Sequence, residues 1–269
     1  MGLIIIATGS IAALAAFFAI MLSIAHSKLK VEEDPRVERL LEALPGVNCA
    51  ACGFASCRAL AEAAVKGEVE VGSCVVGGND VAEKISRIMG VKAKVVEKKL
   101  AFVRCGAGKS EREKKAIYQG VETCRAANLV MGGEVACSHG CLGFGDCQRA
   151  CPFNAIKMLD GLAHIDFSLC TGCGRCVQVC PRNIIVLEKF NDLNYRVKCS
   201  SLDKGKKARE VCKKSCIACG RCVKSCPYDA CWMDNNLARI DSRNCQVCGI
   251  CALVCPTGAI VELENSGKK

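Results

Sequence analysis

Cys170-Thr-Gly-Cys173-Gly-Arg-Cys176-Val-Gln-Val-Cys180-Pro181 is the stretch on which the reading of the whole chain turns. The spacing C-x2-C-x2-C-x3-C-P sets three thiolates on one tight loop around a single [4Fe–4S] cube. The fourth cysteine points at a neighbouring cube, so such runs work in pairs. The run recurs at Cys216, Cys219, Cys222 and Cys226-Pro227, and again at Cys245, Cys248, Cys251 and Cys255-Pro256.

Sliding the sequence on itself exposes an internal duplication at an offset of 75 residues. Cys151 falls on Cys226, Cys170 on Cys245, and Cys180 on Cys255. Ala163-His-Ile165-Asp166 falls on Ala238-Arg-Ile240-Asp241. Two ferredoxin-like modules follow, each with two halves. Between the halves, Ala155 to Asp166 and Ala230 to Asp241 read as hairpins, turning at Asp160-Gly161 and Asn235-Asn236.

The crossing of the fourth ligand gives the expected sets. In the second module they are Cys216, Cys219, Cys222 with Cys255, and Cys245, Cys248, Cys251 with Cys226. In the first module, Cys170, Cys173, Cys176 join Cys151. The remaining run, Cys137-x3-Cys141-x5-Cys147-x3-Cys151, carries Phe144 where the other module has Cys219. Cys137 is the expected replacement, giving Cys137, Cys141, Cys147 and Cys180 for that cube.

Upstream, Leu44-Pro45-Gly46-Val47-Asn48-Cys49-Ala-Ala-Cys52-Gly53 leads to Cys57 and then Cys74. Cys49, Cys52, Cys57 and Cys74 can enclose one more cube, on a loop, a helix over about Arg58–Lys66 and a return loop. A structural zinc site uses the same C-x2-C pairs, and spacing alone leaves both open. A helix over about Asn79–Met89 closes this small domain, and Lys92–Lys99 reads as a basic linker. Five sets of four use 20 of the 25 cysteines. Cys105, Cys124, Cys199, Cys212 and Cys231 remain. Cys231 falls on Ile156 across the repeat and reads as a small buried hydrophobe. Val103-Arg-Cys105 resembles Val197-Lys-Cys199, so Cys105, Cys124, Cys199 and Cys212 are a candidate sixth set, against free or paired thiols between the modules.

Leu3 to Ala25 contains no ionisable side chain. As a helix it reaches roughly 34 Å, enough for a bilayer core of about 30 Å. No basic segment precedes it, which argues against a cleaved signal peptide. Ser23-Ile-Ala25 imitates a cleavage site, and a buried soluble helix passes the same length test. Lys28 and Lys30 follow it, which places the remainder on the cytoplasmic side of an inner membrane, with one crossing. Val31–Arg39 reads as a charged connector.

The formal charge of +10 is offset by the cofactors, because each oxidised cube with four thiolates carries about −2. The excess lysine and arginine is therefore no sign of nucleic-acid binding. Gly106-Ala-Gly108-Lys109-Ser110 lacks the leading glycine of a phosphate loop, since Val103 stands there. No dinucleotide fingerprint and no C-x-x-C-H haem site occurs, so neither flavin nor nicotinamide is expected on this chain. His26, His139 and His164 show no ligand spacing and read as surface or loop residues. The Glu/Lys run from Ser110 to Lys115 reads as a solvated helix face. Lys204-Gly-Lys206-Lys207 reads the same way, or as a docking point for an acidic electron donor.

The expected fold class is α+β. Residues 1–27 form a transmembrane anchor and 28–90 the four-cysteine domain. Residues 91–190 and 191–269 form two tandem bacterial-ferredoxin-like modules. This order, with the Leu-Pro-Gly-x-Asn-Cys stretch and the doubled modules, is similar to the B subunit of the Rnf-type membrane complex. The resemblance implies a [4Fe–4S] cluster rather than zinc on Cys49, Cys52, Cys57 and Cys74. It implies electron transfer from reduced ferredoxin into an ion-translocating complex, where another subunit reduces NAD while Na⁺ or H⁺ crosses the bilayer. A similar complex is implied to keep a redox-sensing regulator reduced, and the sequence of this chain does not separate the two roles. A non-catalytic iron–sulfur scaffold or sensor is the reading from a different class.

Overall fold

The computed structural model describes residues 2–29, 34–92, 97–189 and 195–263. Lys30, the start of the charged connector and the middle of the basic linker lie outside the described residues. Helix α1 (Gly2–Leu29) is apolar on every side. It is the one described helix long and apolar enough to cross a membrane, over Ile6–Lys28, and none of that stretch is buried. Phe17, Ile20, Leu22 and Ile24 all stand exposed. A helix apolar all round finds no stable place in water without a partner surface or a lipid core.

The four-cysteine domain packs three helices. Asp34 caps α2 (Pro35–Ala43) by accepting from the Arg36 N–H at 2.9 Å, with Pro35 in the first turn. Ser56 caps α3 (Cys57–Val65) by accepting from Ala59 N–H at 3.1 Å. α4 (Gly78–Met89) ends on Gly90 in the left-handed region. Leu40, Leu60, Ala64, Val81 and Ile85 form the core between them. Both helices expected downstream of Cys52 are present, each shifted by a residue at its start.

In the first module the chain runs through β1 (Lys99–Val103), α5 (Cys124–Leu129), α6 (Asp146–Arg149), β2 (Ile156–Leu159), β3 (Leu162–Ile165), α7 (Arg175–Val179) and β4 (Ile185–Lys189). The second holds β5 (Tyr195–Val197), α8 (Gly205–Val211), α9 (Arg221–Lys224), β6 (Cys231–Asp234), β7 (Leu237–Ile240), α10 (Ile250–Leu253) and β8 (Ile260–Glu262). β2 and β3 form one hairpin, with Ile156 opposite Ile165; β6 and β7 form its counterpart, with Cys231 opposite Ile240. Asp160, Gly161, Asn235 and Asn236 all have positive φ, which suits the tight turns of right-twisted hairpins. β1 pairs antiparallel with β4, and β5 with β8, so each module's first strand returns to its last.

Backbone and side-chain hydrogen bonds join the modules. Lys213 N–H donates to Glu111 at 2.9 Å, Glu113 N–H donates to Val211 at 3.1 Å, and Ser200 Oγ donates to the Arg104 carbonyl at 2.6 Å. Arg196 and Glu188 add an ion pair at 2.7 Å. The run from Ser110 to Lys115 departs from the expected helix face. It is a short 3-10 turn over Lys109–Glu111 followed by extended chain. Arg112 bridges Cys212, and Lys114 bridges Val135. Arg112 is buried, and its guanidinium donates to the carbonyls of Gly108, Cys141 and Gly161. A guanidinium satisfied by carbonyls looks in sequence like solvated charge. His164 lies on the surface as expected, exposed on strand β3.

Candidate metal centres

None of the 25 cysteines forms a disulfide. Four small cavities, partly open to solvent, are each lined by four of them. Cys49, Cys52, Cys57 and Cys74 line the first. Asn48 Oδ1 accepts from Cys57 N–H at 2.8 Å, fixing the loop to the start of α3. Gly77 N–H donates to Cys74 Sγ at 3.4 Å. Cys151, Cys170, Cys173 and Cys176 line the second, with Ile156 and Ile165 of the hairpin as walls. Cys216, Cys219, Cys222 and Cys255 line the third.

The fourth cavity brings together Cys124, Cys141, Cys147 and Cys180. Cys137, expected in the first place of this set, is not among the residues that line the cavity. Thr123 caps α5, and Asp146 Oδ2 accepts from Arg125 N–H at 3.0 Å. That bond ties the start of α5 to the start of α6, which delivers Cys124 beside Cys147. Cys137 instead follows Val135 and Ala136, which run beside residues 113–114; Ala136 N–H donates to Glu113 at 2.8 Å. The charge of Cys105 acts on Cys137, and that of Cys137 acts on Cys199 and Cys212.

Cys105, Cys137, Cys199 and Cys212 therefore form a buried group between the modules, with Cys137 in the place expected for Cys124. The duplication carried a signal for this that the spacing argument missed. Cys137 and Cys212 are counterparts at the offset of 75, each four residues before a run that starts at Cys141 or Cys216. Cys105 and Cys199 each follow their module's first strand by two residues. Each module thus contributes two equivalent thiols.

For Cys226, Cys245, Cys248 and Cys251, the repeat supplies the argument, since all four match the second cavity's cysteines at the same offset. Cys251 and Cys226 both reach the Cys231 thiol, which is buried as expected but touches two sulfurs as well.

The electrostatics suit an iron–sulfur core. Burial pushes the Cys147 and Cys176 thiols up to about 12, with neighbouring cysteine charges adding to it. Burial likewise holds Cys141, Cys199, Cys212 and Cys222 at about 11. Crowded thiolates repel one another, and cationic iron relieves that repulsion. Thr171 Oγ1 is buried without a partner on the wall of the second cavity, where a cluster sulfide would accept from it. In the first set, four sulfurs surround a cavity, whereas a single zinc ion draws its ligands to about 2.3 Å.

The groups also succeed one another in space. Cys49 acts on Cys173, Cys176 on Cys147 and Cys105 on Cys141, and Cys216 N–H donates to Cys199 Sγ at 3.3 Å. Cys216, Cys222, Cys251, Cys226 and Cys255 pack in one core.

Residues 44–76 match the Fe-S cluster family, and residues 137–155 and 163–186 match 4Fe-4S binding domains. Residues 215–259 match a 4Fe-4S dicluster domain. The B subunit of the Na⁺-translocating ferredoxin:NAD⁺ oxidoreductase complex of Acetobacterium woodii is 41% identical over 239 residues, covering 88% of this chain and 72% of that protein. The chain belongs to the B-subunit family of Rnf-type ion-translocating oxidoreductases. The corresponding B subunit of the proton-translocating complex of Clostridium ljungdahlii is 43% identical, covering 83% of this chain and 79% of its own length. The B subunit of an ion-translocating oxidoreductase complex of Methanosarcina acetivorans is 40% identical, covering 72% and 74%. As a member of this family the chain is an electron-transfer component with several [4Fe–4S] domains.

Proposed function

We propose that this protein takes single electrons from reduced ferredoxin and relays them through six [4Fe–4S] cubes into a membrane complex that reduces NAD⁺ elsewhere. The observation that carries the reading is the unbroken succession of cysteine groups, each beside the next. The ligand sets are Cys49, Cys52, Cys57, Cys74; then Cys151, Cys170, Cys173, Cys176; then Cys124, Cys141, Cys147, Cys180. Cys105, Cys137, Cys199, Cys212 join the modules. Cys216, Cys219, Cys222, Cys255 and Cys226, Cys245, Cys248, Cys251 complete the series. When bound, the cubes supply reversible one-electron storage.

The protein's own part is to hold the thiolates, exclude water and set each potential through N–H donors and local charge. Helix α1 is the membrane anchor, and Lys28 at its end favours the cytoplasmic side for everything after it. The coupled ion is Na⁺ or H⁺, as the names of the two bacterial relatives divide.

The test uses purified complex supplied with reduced ferredoxin and NAD⁺, following NADH and ion uptake together. Wild-type complex should form NADH, and Cys173→Ala should slow it sharply while leaving the chain in the membrane. NADH formation at the wild-type rate in that variant would defeat the relay.

A further inference from the structure

We propose that Arg182 sets the reduction potential at the junction of the relay, its fixed positive charge stabilising the electron on the Cys124, Cys141, Cys147 and Cys180 centre. The inference rests on the six-cube reading above and adds a tuning residue to it.

Arg182 lies two residues after Cys180, on the wall of that cavity. It is half-buried. Its Nη1 donates to the Cys137 carbonyl at 3.4 Å and its Nη2 to the Gly132 carbonyl. These bonds stretch the guanidinium between the Cys137 group and the fourth cavity. The remaining nitrogen, Nε, is buried and has no partner in the protein. A buried N–H left unpaired beside a cysteine-lined cavity has an obvious acceptor in a cluster or ligand sulfur. The charge is uncompensated as well. No described carboxylate pairs with Arg182, and the other charged residue lining the cavity, Asp146, is taken by Arg149.

A guanidinium stays protonated throughout the working pH range, so this is a permanent charge and not a switch. Reduction adds one negative charge to the cube. A nearby cation lowers the energy of that state more than of the oxidised one, and partial burial weakens the screening. The potential of the junction centre therefore lies higher than the ligand set alone would give.

The duplication supplies an internal control. The residue 75 positions on is Thr257, a neutral side chain whose hydroxyl stands 3.7 Å from Cys255 Sγ. At this place in the loop the two centres differ by one charge; elsewhere Asp146, which lines the first cavity, stands where the second module has Arg221.

Purified complex carrying Arg182→Thr or Arg182→Gln is titrated redox-potentiometrically under electron paramagnetic resonance. The junction component is identified by its loss in Cys147→Ala. In both neutral variants that component should move to a more negative potential at unchanged iron content, and Arg182→Lys should restore most of the shift. Thr257→Arg should move the corresponding component of the second module the opposite way. An unmoved junction component in both neutral variants overturns the proposal, and so does loss of iron from them, because packing would then be what the site needs. Absence of the component from wild-type complex would instead remove the relay reading beneath it.

Discussion

At the scale of single residues, the cysteine loops depend on backbone that L side chains rarely adopt. Gly172, inside the Cys170–Cys173 loop, has φ +72°, and a Cβ there would stand 2.0 Å from the Lys99 carbonyl oxygen. Ala218 and Val247 hold the same place in the other two runs with φ of 53° and 58°. The left-handed conformation is thus tolerable with a side chain; what makes Gly172 necessary is strand β1 lying across the loop. Gly172→Ala should destabilise the first module by about 2 kcal/mol or more, combining conformational strain with a backbone collision. A lowered denaturation midpoint and faster iron loss are the readouts, and Val247→Ala should change neither. Cys231 makes the opposite case. It touches Cys226 and Cys251 yet lies outside every four-cysteine set. Cys231→Ala should leave iron content unchanged; a fall of about four irons per chain would make it a ligand.

At the scale of elements, short segments decide which sulfurs meet. Helix α5 has only six residues, yet its tie to Asp146 delivers Cys124 to the fourth cavity. The extended segment after Glu111 bridges both Val135 and Cys212, and so carries Cys137 to the other module. Cys124→Ala should remove the same paramagnetic component as Cys147→Ala. Cys137→Ala should remove the component that Cys212→Ala removes. Swapped outcomes would restore the assignment that spacing alone suggests. Over Ile6–Lys28, helix α1 buries nothing against the rest of the described protein. Deleting residues 1–29 should therefore move the chain from carbonate-washed membranes to the soluble fraction with its iron retained.

At the scale of the whole molecule, the proposed relay needs every stop. Six cubes require about 24 irons per chain and five require about 20, so elemental analysis of anaerobically prepared protein separates the two counts. In the proposed relay the Cys105, Cys137, Cys199 and Cys212 centre lies between the modules and follows the junction centre. Each module supplies two of its thiols, and the modules are held together there by residues 111–113 against 211–213 and by Ser200 against Arg104. Loss of that centre in Cys105→Ala should stop electrons from crossing between modules while both remain reducible separately.

The sequence by itself determined the chemistry and most local geometry. Cysteine spacings, hairpin turns and helix caps act over a few residues, and their signals lie next to one another in the chain. The offset of 75 also fixed the duplication and thereby the counterpart of each regular ligand. Only the tertiary structure placed Cys124 on the fourth cavity and Cys137 away from it, buried Arg112, and set Arg182 on the wall of that cavity with its guanidinium on the Cys137 carbonyl. All cysteines are chemically equal as ligands, so spacing cannot rank two that stand outside a regular run. Which one arrives is settled by hydrogen bonds between segments tens of residues apart, such as Arg125 with Asp146 and Glu111 with Lys213.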